Sequence, residues 1–406
     1  MTETLKHVVW HGPVLGFGGY DRMNREIVMR LVVNHGWRVQ CRGLGNFTRV
    51  APPIETFLQA LAKTPIDEQR AAFVLAQPPG AMPWHNENNI HFTMFETQGL
   101  PSYFRNASNA VAREVWNPSQ WGCKVFRDGG ILKPIIHMPL GVNADQFRPG
   151  LDEPDLTYQD ISSGGKKTKT LPKKFRFVAL FDWHVRKGPD ILIKAFCRAF
   201  QKRDDAILVI YSRLAGQQNE NNDAKICKQG LEYFQQGGEK LMPPVYHCGQ
   251  HVSEENLARA LSNANCFVSA SRGEGFCLPI IEAAACGVPV LAAANTAQTE
   301  LALFTIPTPE IEPCPPEWLT LAPWFHDQKV VKMGEEVIAA FAAAMQDVID
   351  DPKSHADVAS KFRAMILRDY TWDVAARNVH ERLLHIQSTP ETVMQTAMED
   401  APAYGR

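Results

Sequence analysis

The chain has 406 residues, 45% of them hydrophobic, and a formal net charge of −2. That length suits two or three domains with sizeable cores. The near-neutral balance excludes a polycation that would wrap nucleic acid or coat an anionic membrane by charge alone. Charge is uneven along the chain. Residues 1–150 hold 15 Lys and Arg against 11 Asp and Glu, which is compatible with an anionic ligand or acceptor.

The first segment, Met1–Pro13, lacks the basic start and long apolar core of a signal peptide. No apolar run reaches the ~18 residues of a membrane span. The nine cysteines are scattered with no C-x-x-C pair, and Cys266 and Cys286 sit in apolar runs. That pattern predicts reduced, buried thiols and a cytoplasmic protein.

A strand is predicted at His7–Trp10, then a glycine loop with Gly12, Gly16, Gly18 and Gly19. From Asp21, Ile27, Val28, Leu31 and Val32 recur at helical spacing, and Gly36 stops the helix. "WRVQCRGL" is the next strand, so the opening is a β-loop-α-β unit of a doubly wound parallel sheet. "AAFVLAQPP", "IHFTMFET", "REVWNPS" and "PIIHMPLGV" follow as strands. The polar stretch Leu151–Lys174, with its lysine cluster, reads as an interdomain connection and a solvated loop. A second alternating unit starts at Phe175. Its strands are "FRFVALFDW", "AILVIYS", "VYHCG" and "NCFVSAS", with helices from about Pro189 and after Ser253. Long helices follow, "GEEVIAAFAAAMQDVID" and the segment ending "VHERLLHIQ", and the last 15 residues are polar and expected to fray. The expected division is 1–165, 166–370 and a final 371–406 helix with tail. In two such open α/β domains ligands bind outside the carboxyl ends of the strands, here in a cleft between the domains.

One stretch concentrates chemistry. "SRGEGFCLPIIEAAACGVPVLAA", Ser271–Ala293, carries Glu274 and Glu282 in an apolar, small-residue setting. "RGEGF" is the loop after a strand. "LPIIEAAACG" is a helix with Pro279 in its first turn and Gly287 as its stop. Gly273 and Gly275 allow close backbone approach. Amides at the helix start favour a phosphate, and ionised carboxylates accept hydrogen bonds from sugar and ribose hydroxyls. A nucleotide-sugar fits that set. The plain structural alternative is that Glu274 caps the helix and Glu282 pairs with a basic residue, because a buried carboxylate without a partner costs several kcal/mol.

The stretch resembles the nucleotide-binding signature of retaining GT-B glycosyltransferases, in particular the large family four. That frame is S-x-x-E-G-F-G-L-x-x-x-E-A-x-A-x-G-x-P-V. Ser271, Glu274, Gly275, Phe276, Leu278, Glu282, Ala283, Ala285, Gly287, Pro289 and Val290 match it, and Cys277 stands where glycine is usual. "FDWHVRKGPDILIKAF" is similar to the family's R-x-x-x-K-G strand-loop-helix, with Arg186 and Lys187 adjacent and His184 before them. "GVNADQFRP" resembles G-V-D-x-x-x-F-x-P, with Asn143 for Asp, and "EVWNPSQWG" resembles W-V-P-S. "YTWDVAARNVHERL" is similar to the family's last helix, which crosses back to the N-terminal domain. "GPVLGFGGYDRMNREI" matches its first loop.

The resemblance implies a GT-B fold, α/β, with two Rossmann-like parallel-sheet domains facing a central cleft. It implies a retaining transferase that moves a sugar from a nucleotide donor, UDP first and GDP second, to an acceptor it does not identify. The donor side would comprise Gly18, Gly19, Arg186, Lys187, Gly275, Phe276, Cys277, Leu278 and Glu282. Glu274 would contact the donor sugar and Glu282 the ribose. Arg186 and Lys187 would neutralise the pyrophosphate and the leaving-group charge. The family position of a histidine facing the donor sugar falls on Glu96, an acceptor-side base, a stabiliser of anomeric charge or a hydroxyl ligand; as a purely structural residue it would pair with a neighbour such as Arg105. His85 and His91 are nearby and are set aside as structural. No cofactor and no metal are expected, since no Asp-x-Asp stands in a suitable loop and "DVIDD" lies at a helix end. A dinucleotide G-x-G-x-x-G is absent, which counts against NAD. Rival readings are a GT-B-fold sugar-nucleotide epimerase, disfavoured by the glutamate pair and "RKG", and a silent nucleotide-sugar-binding protein. Acceptor classes range over glycan, lipid-linked glycan, small molecule and modified nucleic acid. Arg22, Arg25, Arg42 and Arg49 neither establish nor exclude the last.

Overall fold

Six short strands, β1 His7–His11, β2 Arg38–Arg42, β3 Ala72–Ala76, β4 Asn89–Phe92, β5 Glu114–Asn117 and β6 Ile135–His137, form one sheet. Its order is β2-β1-β3-β4-β5-β6 and every pairing is parallel. The computed structural model describes residues 6–16, 18–45, 50–77, 86–214, 223–250, 252–307, 310–319, 325–326 and 328–388. Arg49, His85 and the last 15 residues lie outside them. Strands buried on both faces read as continuous apolar runs: all five residues of β3, AFVLA, are buried. Phe73, Leu75, Phe95, Phe104, Val115 and Phe126 fill one core beside this sheet.

The second sheet has eight strands in the order β14-β13-β12-β9-β10-β11-β7-β8. β9 is Phe175–Trp183, β10 Ala206–Leu214, β11 Val245–Cys248, β12 Cys266–Ser269, β13 Val290–Ala294 and β14 Phe304–Pro307, all parallel. Helix Pro189–Phe200 opens with proline in its first turn, where a missing N–H costs nothing. It buries Ile191, Leu192, Phe196 and Phe200 against Phe177, Phe341 and Met345. Helix Glu254–Ser262 starts as expected at Ser253, whose hydroxyl accepts from Asn256 N.

The stretch Leu151–Lys174 is not a plain connection. It forms β7 Tyr158–Asp160 and β8 Lys166–Thr168, an antiparallel extension of the sheet beyond β11. Leu156, Tyr158 and Ile161 are buried, and the Tyr158 and Tyr211 hydroxyls lie 3.2 Å apart. The lysines of β8 are exposed on the outer edge, where charge discourages further strand pairing.

The chain divides into two compact units. One comprises Met1–Phe95, Leu100–Gly141 and Trp372–Arg406, the other Glu96–Gly99 and Val142–Thr371. Helix Trp372–Ser388 completes the first unit. Arg30 Nε donates to Asp373 Oδ1 at 2.7 Å and Trp37 Nε1 to His380 Nδ1 at 2.9 Å. Arg382 grips Glu114 of β5 through Nε, 3.0 and 3.1 Å from the two carboxylate oxygens, and through Nη2. Among the described residues no helix is long and apolar enough to cross a membrane. All nine cysteines are free thiols.

Candidate active site

In the second sheet, β9 has β10 on one side and β12 on the other. The strand order therefore reverses between β9 and β12. At such a switch point the loops leaving the two carboxyl ends diverge and open a crevice for ligands. The loop after β9 is His184–Gly188 and the loop after β12 runs from Ala270 to Cys277. They carry Arg186, Lys187 and Glu274.

Glu274 is 6% exposed. Lys187 Nζ donates to its Oε1 at 2.6 Å, and Arg186 Nη1 stands 3.5 Å from its Oε2. Burial alone would raise the Glu274 carboxyl, but Lys187 and Arg186 overrule it and hold it below its usual range. Arg186 also donates from Nη1 to the Gly273 carbonyl at 2.6 Å, and its Nη2 lies 3.7 Å from Glu96 Oε1. Burial would lower the guanidinium; the carboxylates of Glu96 and Glu274 hold it above its usual value. His184 caps the turn Val185–Lys187, its Nδ1 accepting from Arg186 N at 3.2 Å. Burial first, then the cations Arg186, Lys187 and Arg272, push its pKa down to about 4.

Two glycines make the geometry possible. Gly188 ends the turn at φ +68, and a Cβ there would meet Ala270 O at 2.0 Å. A Cβ on Gly273 would meet the Glu96 carbonyl oxygen, also at 2.0 Å. Only glycine permits both approaches. The loop after β12 is tied from behind. Asn295 Nδ2 and Gln298 Nε2 donate to Ser271 O at 2.9 and 3.0 Å, and Glu274 N donates to Thr296 Oγ1 at 2.9 Å.

Glu96, Arg186, Lys187 and Glu274 are thus brought together. The Glu96 carboxylate pairs with Arg186, not with Arg105, whose Nε donates to Asn106. Glu274 is not the cap of helix Leu278–Ala285. Cys277 is the N-cap, it supplies no side-chain hydrogen bond, and its φ is 73. That left-handed backbone is the physical reason a glycine is at home here. Burial, with Glu274 adding to it, pushes the Cys277 thiol up to about 12. Glu282 is 2% exposed inside the same helix, and Gly275, Phe276 and Leu278 are buried around its start. Asn143, where Asp was expected, closes its own turn: its Oδ1 accepts from Asp145 N at 3.1 Å.

Gly18 and Gly19 belong to the first unit, at the N-terminus of helix Gly19–Val33. Sequence reading missed what holds that loop. Asp21 Oδ1 accepts from Gly16 N at 2.8 Å, Asn24 Nδ2 reaches the carbonyls of Pro13 and Ala76, and Arg25 Nη1 reaches those of Val14 and Gly16. The signal was present: Asp21, Asn24 and Arg25 fall three and four apart on one helix face.

Residues 172–303 match the family model described as glycosyl transferases group 1. The matched span contains β9, the cation turn and the whole of the loop after β12. The serotype-specific mannosyltransferase WbdA of Escherichia coli is 28% identical over 160 residues, 39% of this chain and 17% of that protein. The chain thus spans about a sixth of the length of that curated relative. Sucrose-phosphate synthase from Thermosynechococcus elongatus superposes with a TM-score of 0.65 at 16% identity, over 94% of this chain and 99% of that one. HepE of Anabaena, in complex with UDP and glucose, gives a TM-score of 0.58 at 14% identity, over 93% and 99%. The second unit contains the region that matches the glycosyl transferases group 1 model, and the two-sheet α/β frame is the GT-B fold. The family model and the curated relative are both of glycosyltransferases, and the solved neighbours share the fold.

Proposed function

We propose that the chain is a retaining glycosyltransferase that takes a sugar from a nucleotide-sugar, UDP-linked first and GDP-linked second. One observation carries the reading: two cations and a buried carboxylate meet at the crevice between β9 and β12. Arg186 and Lys187 accept the donor pyrophosphate and stabilise the charge that grows on it as the glycosidic bond breaks. The carboxylate of Glu274, held ionised, receives hydrogen bonds from the donor sugar hydroxyls. Glu282 takes the ribose. Gly18 and Gly19 approach the donor with backbone amides. Glu96 stabilises positive charge at the anomeric carbon or receives the acceptor proton. No metal is assigned a role, so turnover should survive EDTA. UDP leads because HepE, of like fold, is in complex with UDP and glucose. The acceptor is left as a glycan, lipid-linked glycan, small molecule or modified nucleic acid.

A donor screen tests this. UDP-, GDP-, ADP- and dTDP-sugars are offered without acceptor, and binding is followed by calorimetry and slow hydrolysis by mass spectrometry. One donor should bind and hydrolyse, and Glu282→Ala should lose both. Failure of every nucleotide-sugar to bind would end the reading.

A further inference from the structure

Arg272 fills a position that the signature leaves open, yet it is 9% exposed and both terminal nitrogens of its guanidinium are bonded. Its Nη1 and Nη2 hold Asp190 Oδ1 and Oδ2 at 2.9 and 2.8 Å, a two-pronged pair. Nη1 also donates to Val185 O at 2.7 Å, and its backbone N donates to Arg186 O at 2.7 Å. Ser271 Oγ adds a bond to the same carbonyl at 3.3 Å. Asp190 lies in the first turn of helix Pro189–Phe200, immediately past the cation turn. The guanidinium therefore reaches both ends of residues 185–190, and its own chain neighbours Gly273 and Glu274 are what Arg186 and Lys187 touch.

We propose that Arg272 and Asp190 are a positioning pair that fixes Arg186 and Lys187 against Glu274. The pair acts through the turn: the guanidinium holds the Val185 carbonyl at one end and the Asp190 carboxylate at the other, while the backbone N of Arg272 holds the Arg186 carbonyl between them. A planar fork does this and an ammonium does not, because a lysine cannot hold both carboxylate oxygens and a carbonyl in one plane. The burial of Asp190 would raise its carboxyl, and the bonds from Arg272 hold it below its usual value instead. The inference rests on the donor-site reading above.

The test uses the full chain and inorganic pyrophosphate, with affinity read by calorimetry. Arg272→Lys keeps the charge and should weaken pyrophosphate about tenfold. Asp190→Asn, which keeps the volume, should weaken it by a similar factor, and it carries the test should the lysine variant fail to fold. In an Arg186→Ala background either change should cost threefold or less, because half of what the pair positions is gone. Losses that multiply in full would overturn the positioning role and leave the pair as architecture. Wild-type protein that does not bind pyrophosphate at all, and matches Arg186→Ala in this, would fell the donor-site reading and the inference with it.

Discussion

Replacing Gly188 by alanine should separate two costs that usually arrive together. The residue sits at φ +68, and a Cβ would fall 2.0 Å from the Ala270 carbonyl oxygen and 2.9 Å from its carbon. The left-handed backbone costs an alanine about 1 kcal/mol. The clash is with backbone, so no side chain can swing aside; relief requires β9 and β12 to part by roughly 1 Å, an overpacking cost of about 1–3 kcal/mol. Gly150 offers the control. Its φ is +78 and a Cβ there would meet nothing within 4 Å. Gly150→Ala should cost about 1 kcal/mol and Gly188→Ala about 3. Urea unfolding, with matched slopes, reads the difference. Equal losses for the two variants would refute the argument that close approach of the β9 and β12 loops demands this glycine.

Other expectations follow from the same contacts. Arg382→Met strips the fully buried Glu114 of its guanidinium and should cost about 3–5 kcal/mol; adding Glu114→Gln should recover part of it, and a double-mutant cycle by thermal unfolding measures the coupling. His184 has a folded pKa of about 4 against an ordinary 6.5. Between those values the unfolded chain binds the proton and the native one does not, so this contribution is intact above pH 6.5 and is lost as pH falls toward 4. Relative to wild type, His184→Gln should therefore gain stability as the pH is lowered through that window; a constant difference would contradict it. The thiols of Cys41, Cys197, Cys248, Cys277 and Cys286 are pushed up to about 12 by burial. Iodoacetamide at pH 8 should leave them unmodified in the native protein and alkylate them in guanidinium, as peptide mass spectrometry would show.

Much of this was legible in the residues. "FRFVALFDW" is β9 from end to end, and Pro189 opens its helix as the pattern requires. The residues marked Arg186, Lys187 and Glu274 as lying in loops after strands, but the contact among them follows from β9 and β12 being neighbours in the sheet, which the residues do not state. The hairpin of β7 and β8 was not legible. An edge strand is polar on its outer side by necessity, and a few residues such as Leu156, Tyr158 and Ile161 betray its buried face. Long-range partners were also hidden. Nothing in spacing pairs Glu96 with Arg186, 90 positions on, rather than with nearby Arg105. Arg272 was passed over because a motif marks what touches a ligand, whereas this side chain faces away, toward Asp190.

The first unit is assembled from three stretches of chain, and its last piece, helix Trp372–Ser388, buries Trp372, Ala375, Ala376, Val379 and Leu383. During synthesis that helix leaves the ribosome only after residues 142–371 have been made. The second unit can close while its predecessor still exposes the seat of the missing helix, with Glu114 awaiting Arg382. The amino-terminal unit thus cannot be completed until the second unit's chain has been made, against the usual order in which the amino-terminal part folds first. A nascent chain stalled short of residue 372 would present the apolar seat of that helix and a Glu114 carboxylate without its arginine, the kind of surface that chaperones hold.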